Sequence, residues 1–376
     1  LDGLPLAIEL AAARARHLDL AEIVDRLDRR FELLTEGPRT AAPRQRTLRA
    51  VVDWSYELLD PDEQRVFERL SVFSGGATLE AARAVCADGD VDPRAVETLL
   101  GRLVDKSLVV LRRTPAGARF GLLQTLADYG ADRLAERGET AATIRRHVEW
   151  ARTLAARAAM SRAQAGSVTE VRAVQLEAAN LQQAIAWALE EDPLVALELA
   201  SNLGWHWFTT MQAGLAWEVL TTALDAAPDD APDALVAQGR AVAGLAGVMA
   251  GQAERAFALS ASAHEIEERI GDPRRLGWHC FIRATQHVFA TEPRPAAEWL
   301  AEARRWFTEI DDEHGLATVD FQQGVVTALL GDLTAADELL RRAVATCRRT
   351  GNHMTLMAAL ARLGEVAKRD GRLDDA

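Results

Sequence analysis

The sequence of 376 residues is poor in several features that mark particular protein classes. It has no uninterrupted apolar run of about 18 residues and no basic-then-apolar leader, so we expect neither a membrane span nor a secretory signal. Its only cysteines are Cys86, Cys280 and Cys347, and they lie too far apart in sequence to show metal-ligand spacing. A small and odd number of cysteines is typical of proteins in a reducing compartment, so we expect a cytoplasmic protein.

The motifs of common catalytic and metal sites are also missing. The sequence contains no Gly-x-x-x-x-Gly-Lys-Ser/Thr phosphate loop, no His-Glu-x-x-His pair and no Gly-x-Ser-x-Gly nucleophile elbow. A chain without a phosphate loop cannot hold a triphosphate tightly or orient an attacking water. We therefore expect no metal and no enzymatic activity from this chain.

Acidic residues outnumber basic ones, and the formal net charge is −13. The imbalance belongs to residues 160–376, where 31 acidic residues face 19 basic ones, whereas residues 44–140 are nearly balanced, with 16 and 14. An acidic surface repels phosphate backbones and suits a protein partner better. We therefore expect the second half of the chain to bind protein or peptide.

Residues 44–140 combine helix-start signals with a hairpin signal. Asp60-Pro61 and Asp92-Pro93 each place a capping residue before a proline that suits the first turn of a helix. Further along, the segments "SLVVLRR" and "ARFGLL" flank "TPAG", which suits a tight turn between two strands. Helices followed by a hairpin and one more helix predict a winged helix.

From about residue 236, small residues recur with a period of 40. Small residues at fixed points let paired helices approach closely, so the pattern predicts stacked helix pairs whose surface binds peptides or partner helices. A helix-pair repeat with a shorter period of 34 residues would be six residues shorter than this one. We expect those six additional residues to lie in the turns between repeats. The repeated positions are Gly251, Thr291, Gly331 and Gly371, then Ala256, Ala296, Ala336 and Ala376, and then Ala263, Ala303 and Ala343.

Two segments carry a family resemblance. The first is "GLPLAIELAAAR", and the second begins "RTLRAVVDWSYELLDPDEQRVFERLSVFSGG" and covers about 95 residues in the family's order. Both resemble STAND-class signalling ATPases, which include NB-ARC proteins and AfsR-like and LuxR-like bacterial regulators. The 40-residue repeat resembles the tetratricopeptide (TPR) pattern.

The resemblance implies a mostly α-helical chain with four parts. Residues 1–43 would be the C-terminal lid helices of an NB-ARC-like nucleotide-binding module, and residues 44–140 a winged-helix domain with a small β-hairpin. Residues 141–210 would be a helical connector, and residues 211–376 an α-solenoid of TPR-like helix pairs. Because the chain starts without Met and stops within the repeat pattern, we expect an internal segment of a longer protein, with the array continuing past its end.

The resemblance also implies that the longer protein binds ATP or ADP. The family's lid proline contacts adenine, and the matching residue is Pro5, preceded by Gly3 and Leu4. In the NB-ARC branch a Met-His-Asp triplet touches the nucleotide phosphate, but the matching positions 122–124 read "LLQ". That phosphate contact therefore cannot be assigned to this chain.

Three functions remain open. In the first, the winged helix is an internal relay of a signal-transducing ATPase and transcriptional regulator, between the nucleotide module and a partner-binding array. In the second, the chain is a DNA-binding winged-helix protein with an oligomerising, self-associating repeat tail, although a slightly negative winged helix disfavours DNA contact. In the third, it is a non-enzymatic TPR scaffold. The DNA-binding hypothesis assigns the helix from Pro93 to Asp105 to the major groove and the contacts to Arg94, Arg102, Arg112, Arg113 and Arg119.

Overall fold

The structure, a computed structural model, describes residues 48–114, 117–159 and 168–371. The chain divides into two compact units, Leu1–Trp150 and Ala151–Ala376. The fold is mostly α-helical, with a winged helix carrying a small β-hairpin and then a solenoid of TPR-like helix pairs, so the predicted fold class is confirmed. The expected lid helices, with Gly3, Leu4 and Pro5, lie outside the described residues, as does Ala376. The four-part division of the chain stays a prediction.

Along the sequence, the described part of the first unit consists of four helices, then a two-stranded sheet, then two more helices. Its elements are α1 (Leu48–Glu57), α2 (Pro61–Leu70), α3 (Leu79–Cys86), α4 (Val96–Asp105), β1 (Val110–Thr114), β2 (Gly117–Gly121), α5 (Gln124–Glu136) and α6 (Thr140–Ala158), the last of which crosses into the second unit.

Helix α2 begins where the sequence predicts. The Asp60 amide donates to Glu63 Oε2 at 2.9 Å, which forms a capping box with Pro61 at the first helical position. The fourth helix begins differently, at Val96 rather than at Pro93. The Asp92 carboxylate accepts a hydrogen bond from the amide two residues later at 2.8 Å, so it closes a turn before the helix instead of capping its first turn.

The wing is an antiparallel pair in which Arg112 lies opposite Arg119. A bridge to Ala77 extends the sheet, with the Ala77 amide donating to the Phe120 carbonyl at 2.7 Å and the reverse bond at 2.8 Å. The chain reaches this bridge through Gly76, whose φ is +69°. A Cβ there would lie 2.8 Å from the Phe120 carbonyl oxygen, so only glycine fits both the backbone conformation and the space.

Three charged side chains of α2 are buried in the first unit, and each has an ion-pair partner far away in sequence. We call these pairs the α2 ion-pair network. It consists of Glu63 with Lys106, Glu68 with Arg137, and Arg69 with Asp88 and Glu139.

Arg69 is fully buried and makes the densest contacts of the network. Its guanidinium donates to Glu139 Oε2 at 2.9 and 2.7 Å, to the Cys86 carbonyl at 2.8 Å and to Asp88 at 2.5 Å. A buried guanidinium needs such partners because its desolvation is costly. Arg69 therefore joins α2 to the end of α3 and to the residue before α6.

The second unit is a series of helix pairs preceded by two further helices. Its elements after α6 are α7 (Val168–Leu176), α8 (Ala178–Glu191), α9 (Pro193–Thr209), α10 (Ala213–Ala226), α11 (Asp233–Met249), α12 (Ala253–Ile270), α13 (Pro273–Phe289), α14 (Pro293–Glu309), α15 (Glu313–Leu329), α16 (Leu333–Thr350) and α17 (His353–Arg369). We call α9, α11, α13, α15 and α17 the A helices, and α10, α12, α14 and α16 the B helices.

The A helices have the same length and keep one register. Each has 17 residues, and their first residues follow one another at intervals of 40. Four of the five begin after a residue whose side chain accepts a hydrogen bond from the first turn, which fixes the starting point. These capping residues are Asp192, Asp272, Asp312 and Asn352.

The turn from each A helix to its B helix contains a residue with positive φ, again at intervals of 40. These residues are Met211, Gly251, Thr291 and Gly331, and Gly371 follows α17 at the same interval. The turns from B to A helices after α12, α14 and α16 have only two or three residues, whereas the turn between α10 and α11 has six. The prediction that the six additional residues lie in the turns between repeats was therefore wrong for the last three turns, where B helices of 17 or 18 residues occupy most of the space between A helices.

The small residues of the repeat lie where helices touch. In the first full 40-residue block, a Cβ on Gly244 would lie 2.0 Å from Ser260 Oγ and 3.0 Å from the Ala256 carbonyl oxygen. The alanines of the repeat pattern in the B helices are fully buried, namely Ala256, Ala263, Ala296, Ala303, Ala336 and Ala343. Close helix approach thus explains the pattern that the sequence shows.

Candidate functional site

A cavity of about 350 Å³ lies in the second unit, between the first three A helices and parts of α10 and α12. Its walls are made chiefly by α9, α11 and α13, which pack side by side in the order of the chain. Gly204 contributes to the wall and lets α9 approach α11, because a Cβ at this position would lie 2.2 Å from Val242 Cγ1. We call this space the array cavity.

Polar and apolar groups occupy opposite ends of the array cavity. Every polar lining residue on the A helices lies within the first nine helical positions, whereas positions ten to seventeen contribute only apolar side chains and Gly204. Because the A helices share one direction and one register, the polar side chains of different helices gather at one end. The apolar end is formed by Phe208, Val242, Leu245, Ala246, Met249 and Ile282.

The charged groups at the polar end already have partners. Arg275 donates to both carboxylate oxygens of Glu267 at 2.8 and 2.6 Å, and to the Ala234 carbonyl at 2.8 Å. Asp272 caps α13 by accepting from two backbone amides. The Arg274 guanidinium, which is half exposed, lies 3.4 Å from an Asp312 carboxylate oxygen. The polar end is thus close to electrically neutral.

Neutral polar groups in the same walls have no partner within the described part of the chain. They are the Ser201 hydroxyl, the Trp278 indole N–H and both ring nitrogens of His279. These side chains are 4, 8 and 3% exposed, so little water reaches them. Buried polar groups in proteins are normally hydrogen-bonded, so each of these groups is unusual.

His279 is neutral at physiological pH. Burial lowers the pKa of its imidazole to about 3, with smaller contributions from His264, Arg283 and Arg275. The His264 ring stacks on it, with centroids 5.3 Å apart. A neutral imidazole offers one donor and one acceptor, and neither is used within the described residues.

The apolar end has an exposed aromatic edge. The rings of Phe208 and Phe289 meet edge to face with centroids 5.6 Å apart, although they belong to α9 and α13. Phe289 is 43% exposed. Phe208 and Met249 also pack against the buried cluster that includes Leu245 and Ile282, so the apolar end is continuous with the packed core of the array.

The arginines of the DNA-binding hypothesis lie in the turn before α4, on α4 and on the two strands of the wing. Arg94 lies in the turn before α4, and its side chain is exposed. Arg102 lies on α4, where its guanidinium is 3.7 Å from Asp60. Arg112 and Arg113 are exposed on β1.

Arg119 has a structural contact. Its guanidinium donates to the Gly75 carbonyl at 3.1 Å and the Gly76 carbonyl at 2.8 Å, so it fastens the wing to the loop before α3. Directly after α4, Lys106 donates to the buried Glu63 at 2.5 Å. Burial alone would raise the pKa of Glu63, but the hydrogen bonds from Lys106 and the Asp60 amide, together with the charges of Lys106 and Arg102, outweigh burial and hold this pKa below its usual value.

Within residues 48–114, 117–159 and 168–371, no group of three or more His, Cys, Asp or Glu side chains is placed to hold a metal ion. No helix of the described residues is both long and apolar enough to cross a membrane. The three cysteine thiols are buried, and burial raises the pKa of Cys86 and of Cys280 to about 12. Thiols in that state are poor nucleophiles.

The array cavity was not predicted from the sequence. The polar and apolar ends are visible only among the residues that line the cavity, because α13 also carries polar side chains such as Arg283 and Gln286 in its second half. The repeat period alone gives neither the helix starts nor the lining residues.

Comparison with known proteins gives relatives in mycobacteria. No family model matches the chain. The protein named Putative HTH-type transcriptional regulator Rv0890c, from Mycobacterium tuberculosis, is 36% identical over 366 residues, which is 93% of this chain and 40% of the relative. A protein of the same descriptive name in Mycobacterium bovis matches equally. The chain is thus similar over most of its length to this relative, of which it spans 40%.

Two weaker similarities complete the comparison. A second protein of Mycobacterium tuberculosis, named as uncharacterized, is 41% identical over 149 residues, which is 39% of this chain and 38% of that protein. A solved STAND protein with a tetratricopeptide repeat sensor, from Pyrococcus horikoshii, aligns over 100% of this chain and 58% of its own, at 12% identity and a TM-score of 0.49. Such a low score carries no functional argument.

Proposed function

We propose that the chain is the central part of a STAND-type signal-transducing ATPase that regulates transcription. In this proposal the winged helix relays between a nucleotide module and a partner-binding array. The mycobacterial relatives named as transcriptional regulators support the regulatory part. Because the chain spans only 40% of their length, the activity of the whole protein is part of the proposal.

The relay role rests on one observation, which is that several cationic side chains of the winged helix bind groups within their own unit. Lys106 and Arg137 bind buried glutamates of α2, Arg69 is itself buried, and Arg119 binds backbone carbonyls. A protein that binds DNA through phosphates needs cations that counterions, and then phosphates, can reach. Charges held inside the unit instead make it a stiff body, as a relay between two neighbours requires.

The nucleotide part of the proposal concerns ATP or ADP bound by the longer protein. Gly3, Leu4 and Pro5 would contribute the adenine contact, and the chain alone would be non-enzymatic. A partner that prefers the open form must then weaken ADP retention, because binding linkage is reciprocal. The acidic array would bind that partner, a protein or a peptide, and the protein would work in the cytoplasm.

DNA titration tests the relay role. Fluorescence anisotropy of a labelled duplex of mixed sequence, titrated with the 376-residue chain, should show binding no tighter than about 10 µM at physiological salt, which is in the range of non-specific contacts. The double variant Arg112→Ala/Arg113→Ala serves as the matched control and should change little. Salt-sensitive binding in the nanomolar range that this variant weakens would contradict the relay.

Nucleotide titration tests the other half. A fluorescent ADP analogue mixed with the 376-residue chain should show no saturable binding, since the chain has no phosphate loop. Tight binding that Mg²⁺ strengthens would mean that this chain itself holds a complete nucleotide site. The division of roles proposed here would then be wrong.

One observation favours the alternative, a DNA-binding winged helix. The side chains of Arg94, Arg112 and Arg113 are exposed, and the name of the mycobacterial relatives includes a helix-turn-helix. In that case the anisotropy experiment gives the opposite result, and the wing arginines determine it.

A further inference from the structure

We propose that Arg283 of α13 is a binding site for one carboxylate group. In this proposal the Arg283 guanidinium binds the carboxylate, and the Trp299 ring holds the guanidinium in position. Neither residue lines the array cavity, so the site is separate from that cavity. It concerns the array alone and stands or fails independently of the relay role of the winged helix.

Three side chains from consecutive helices meet around the Trp299 ring, which belongs to α14. The guanidinium carbon of Arg283 lies 4.0 Å from the centroid of this ring. The His264 imidazole of α12 meets the same ring edge to face, with centroids 5.0 Å apart. All three residues are partly buried. A cation this close to an indole face is attracted to it, so the guanidinium is held in one place.

Arg283 makes no hydrogen bond and no ion pair within the described part of the chain. Its Nε is buried without a partner, whereas its two terminal nitrogens are open to solvent. Burial lowers the pKa of the guanidinium, and no carboxylate of the described residues opposes that effect. The side chain stays charged, as arginine does in proteins. Arg283 is therefore a partly desolvated cation whose outer N–H groups reach solvent.

Two arginines near Arg283 in the array have carboxylate partners. Arg275 on the same helix binds Glu267, and Arg304 on α14 binds Asp320. Both arginines are partly buried, as Arg283 is. These pairs show the partner that a partly buried guanidinium takes in this part of the array, and the described residues supply none for Arg283.

The repeat does not require Arg283 or Trp299 for its packing. At intervals of 40, the positions that match Arg283 in the other A helices carry no charge, namely Leu203, Ala243, Gln323 and Leu363. The positions that match Trp299 in α12 and α16 are Leu259 and Leu339. Equivalent helices therefore pack without a cation or an indole at these points. The stacked pair is specific to one block, which favours a role in binding.

The shape of the guanidinium favours a carboxylate. Stacking on Trp299 covers one face of the group, but its N–H bonds lie in the plane of the guanidinium. The terminal nitrogens can donate two parallel hydrogen bonds to the two oxygens of a carboxylate. Such a charge-assisted contact is about twice as strong as one between neutral groups.

The surrounding charges favour a single negative charge over two. Burial lowers the pKa of His264, and the charges of Glu268 and Glu302 oppose that shift, so both carboxylates act on the ring that contacts Trp299. Residues 160–376 are also acidic overall, with 31 acidic and 19 basic residues. A phosphate dianion would be repelled more strongly by these charges than a carboxylate.

The first experiment follows two side-chain NMR signals of the isotope-labelled 376-residue chain. They are the indole N–H of Trp299 and the Nε–H of Arg283, which burial protects from exchange with water. Butyrate, added at constant ionic strength, should shift both signals saturably. Its neutral analogue butyramide should need a concentration about ten-fold higher or more, because it forms no charge-assisted pair. An equal response to both, or tighter binding of inorganic phosphate than of butyrate, would overturn the proposal.

Variants locate the site. Arg283→Gln removes the charge and should weaken butyrate binding about ten-fold or more, read at Trp299. Arg283→Lys keeps the charge but loses the planar fork, and should weaken it about three- to ten-fold. Trp299→Leu installs the residue found in α12 and α16 and should weaken binding by a similar factor, read at Arg283, because the guanidinium loses its support. Arg348→Gln is the matched control, because it removes an exposed arginine of α16, and it should change nothing.

A peptide distinguishes two sources of the carboxylate. Acetyl-Ala-Glu-Ala-amide carries the group on a side chain, as a partner protein would, whereas butyrate is a free organic acid. Tighter binding of the peptide than of butyrate supports the partner protein, and the reverse supports a small acid. Acetyl-Ala-Gln-Ala-amide should bind about ten-fold more weakly than the Glu peptide.

Two further outcomes would contradict the site itself. One is the absence of any saturable shift at Trp299 and Arg283 in the wild-type chain. The other is a shift in Arg283→Gln as large as that in the wild type, while circular dichroism shows the variant to be folded. If Trp299→Leu loses helical signal, the two substitutions of the partly exposed Arg283 decide.

Discussion

The two units hold their buried polar groups in different ways. In the first unit, the ion pairs of α2 join segments that are 19 to 70 residues apart, as between Arg69 and Asp88 or between Arg69 and Glu139. In the second unit, contacts run mainly between successive helices, and a buried carboxylate such as Glu267 pairs with an arginine only eight residues away. One unit depends on a few long-range pairs, and the other on many local contacts of the same kind.

This difference predicts how far the destabilising effect of a substitution should extend through each unit. Removing one partner of a buried ion pair in the first unit leaves the other charge without a partner. It also removes a direct contact between elements that are far apart in sequence. In a stacked array, stability is close to a sum over helix pairs and their interfaces. A substitution there should weaken its own interface and leave distant pairs nearly unchanged.

The largest expected effect is at Arg69. Arg69→Ala leaves Asp88 and Glu139 without their buried cation, and we expect the first unit to lose about 3–5 kcal/mol of unfolding free energy. Urea denaturation followed by peptide-resolved hydrogen exchange measures this loss for each unit. Arg83→Ala, which breaks the exposed pair with Glu97, is the control and should cost at most about 1 kcal/mol. Equal losses in both variants would remove the contrast between the units.

A glycine pair tests the local character of the array. Gly204→Ala would place its Cβ 2.2 Å from Val242 Cγ1, and overpacking of this kind costs about 1–3 kcal/mol. Gly214→Ala has nothing within 4 Å and should stabilise α10 by about 0.5–1 kcal/mol. Hydrogen exchange should confine the first effect to α9, α11 and their neighbours. Equal loosening of α15 and α17 would contradict a local array.

Acid should destabilise the array partly through His279. Its folded pKa of about 3 lies below the value of about 6.5 of an unfolded histidine. The neutral ring is therefore fully compatible with folding above pH 6.5, and stability falls as the pH drops from 6.5 toward 3, by at most about 1.4 kcal/mol per unit. Unfolding free energies measured at pH 7, 6 and 5 should fall less steeply with decreasing pH for the array of His279→Phe than for the array of the wild type.

The matching variant in the first unit is His147→Phe. Burial lowers the pKa of His147 to about 4. His147→Phe should therefore reduce the loss of stability with falling pH in the first unit and leave it unchanged in the array. If His279→Phe and wild type lose stability in parallel between pH 7 and 5, His279 is not buried as described.

The smallest effect concerns a single helix cap. Asp332 accepts from the Ala335 amide at 3.0 Å, and Asp332→Ala should cost about 1 kcal/mol. Asp332→Asn keeps a capping oxygen and should cost only a few tenths. Thermal unfolding of both variants checks this, and a loss from Asn as large as that from Ala would mean that charge, and not the hydrogen bond, stabilises this helix start.

Local signals in the sequence predicted much of the fold. Asp60 with Pro61 and Thr78 mark helix starts because the capping groups lie within three residues of the cap. The period of 40 was visible because small residues such as Ala256 and Ala296 must repeat wherever helices touch. These features depend on neighbours in sequence or on repetition, and both can be read without coordinates.

What could not be predicted depends on residues far apart in sequence. Nothing near Arg69 shows that Glu139 will meet it, and the period does not say how 40 residues divide between helix and turn. The start of α4 was predicted three residues early because Asp92 can cap a helix or close a turn with the same oxygen. The array cavity combines residues of five helices, so it can be located only when their register is known.

The equal spacing of the A helices has a consequence for how such a protein can change. Removing or duplicating one block of 40 residues, for example from Asp272 to Asp311, would rejoin the chain at equivalent points of two helix pairs. The reach of the surface can then grow or shrink in steps, while each cavity is rebuilt from whichever helices become neighbours. A cavity with a new lining can thus arise at a junction between blocks without any new side chain.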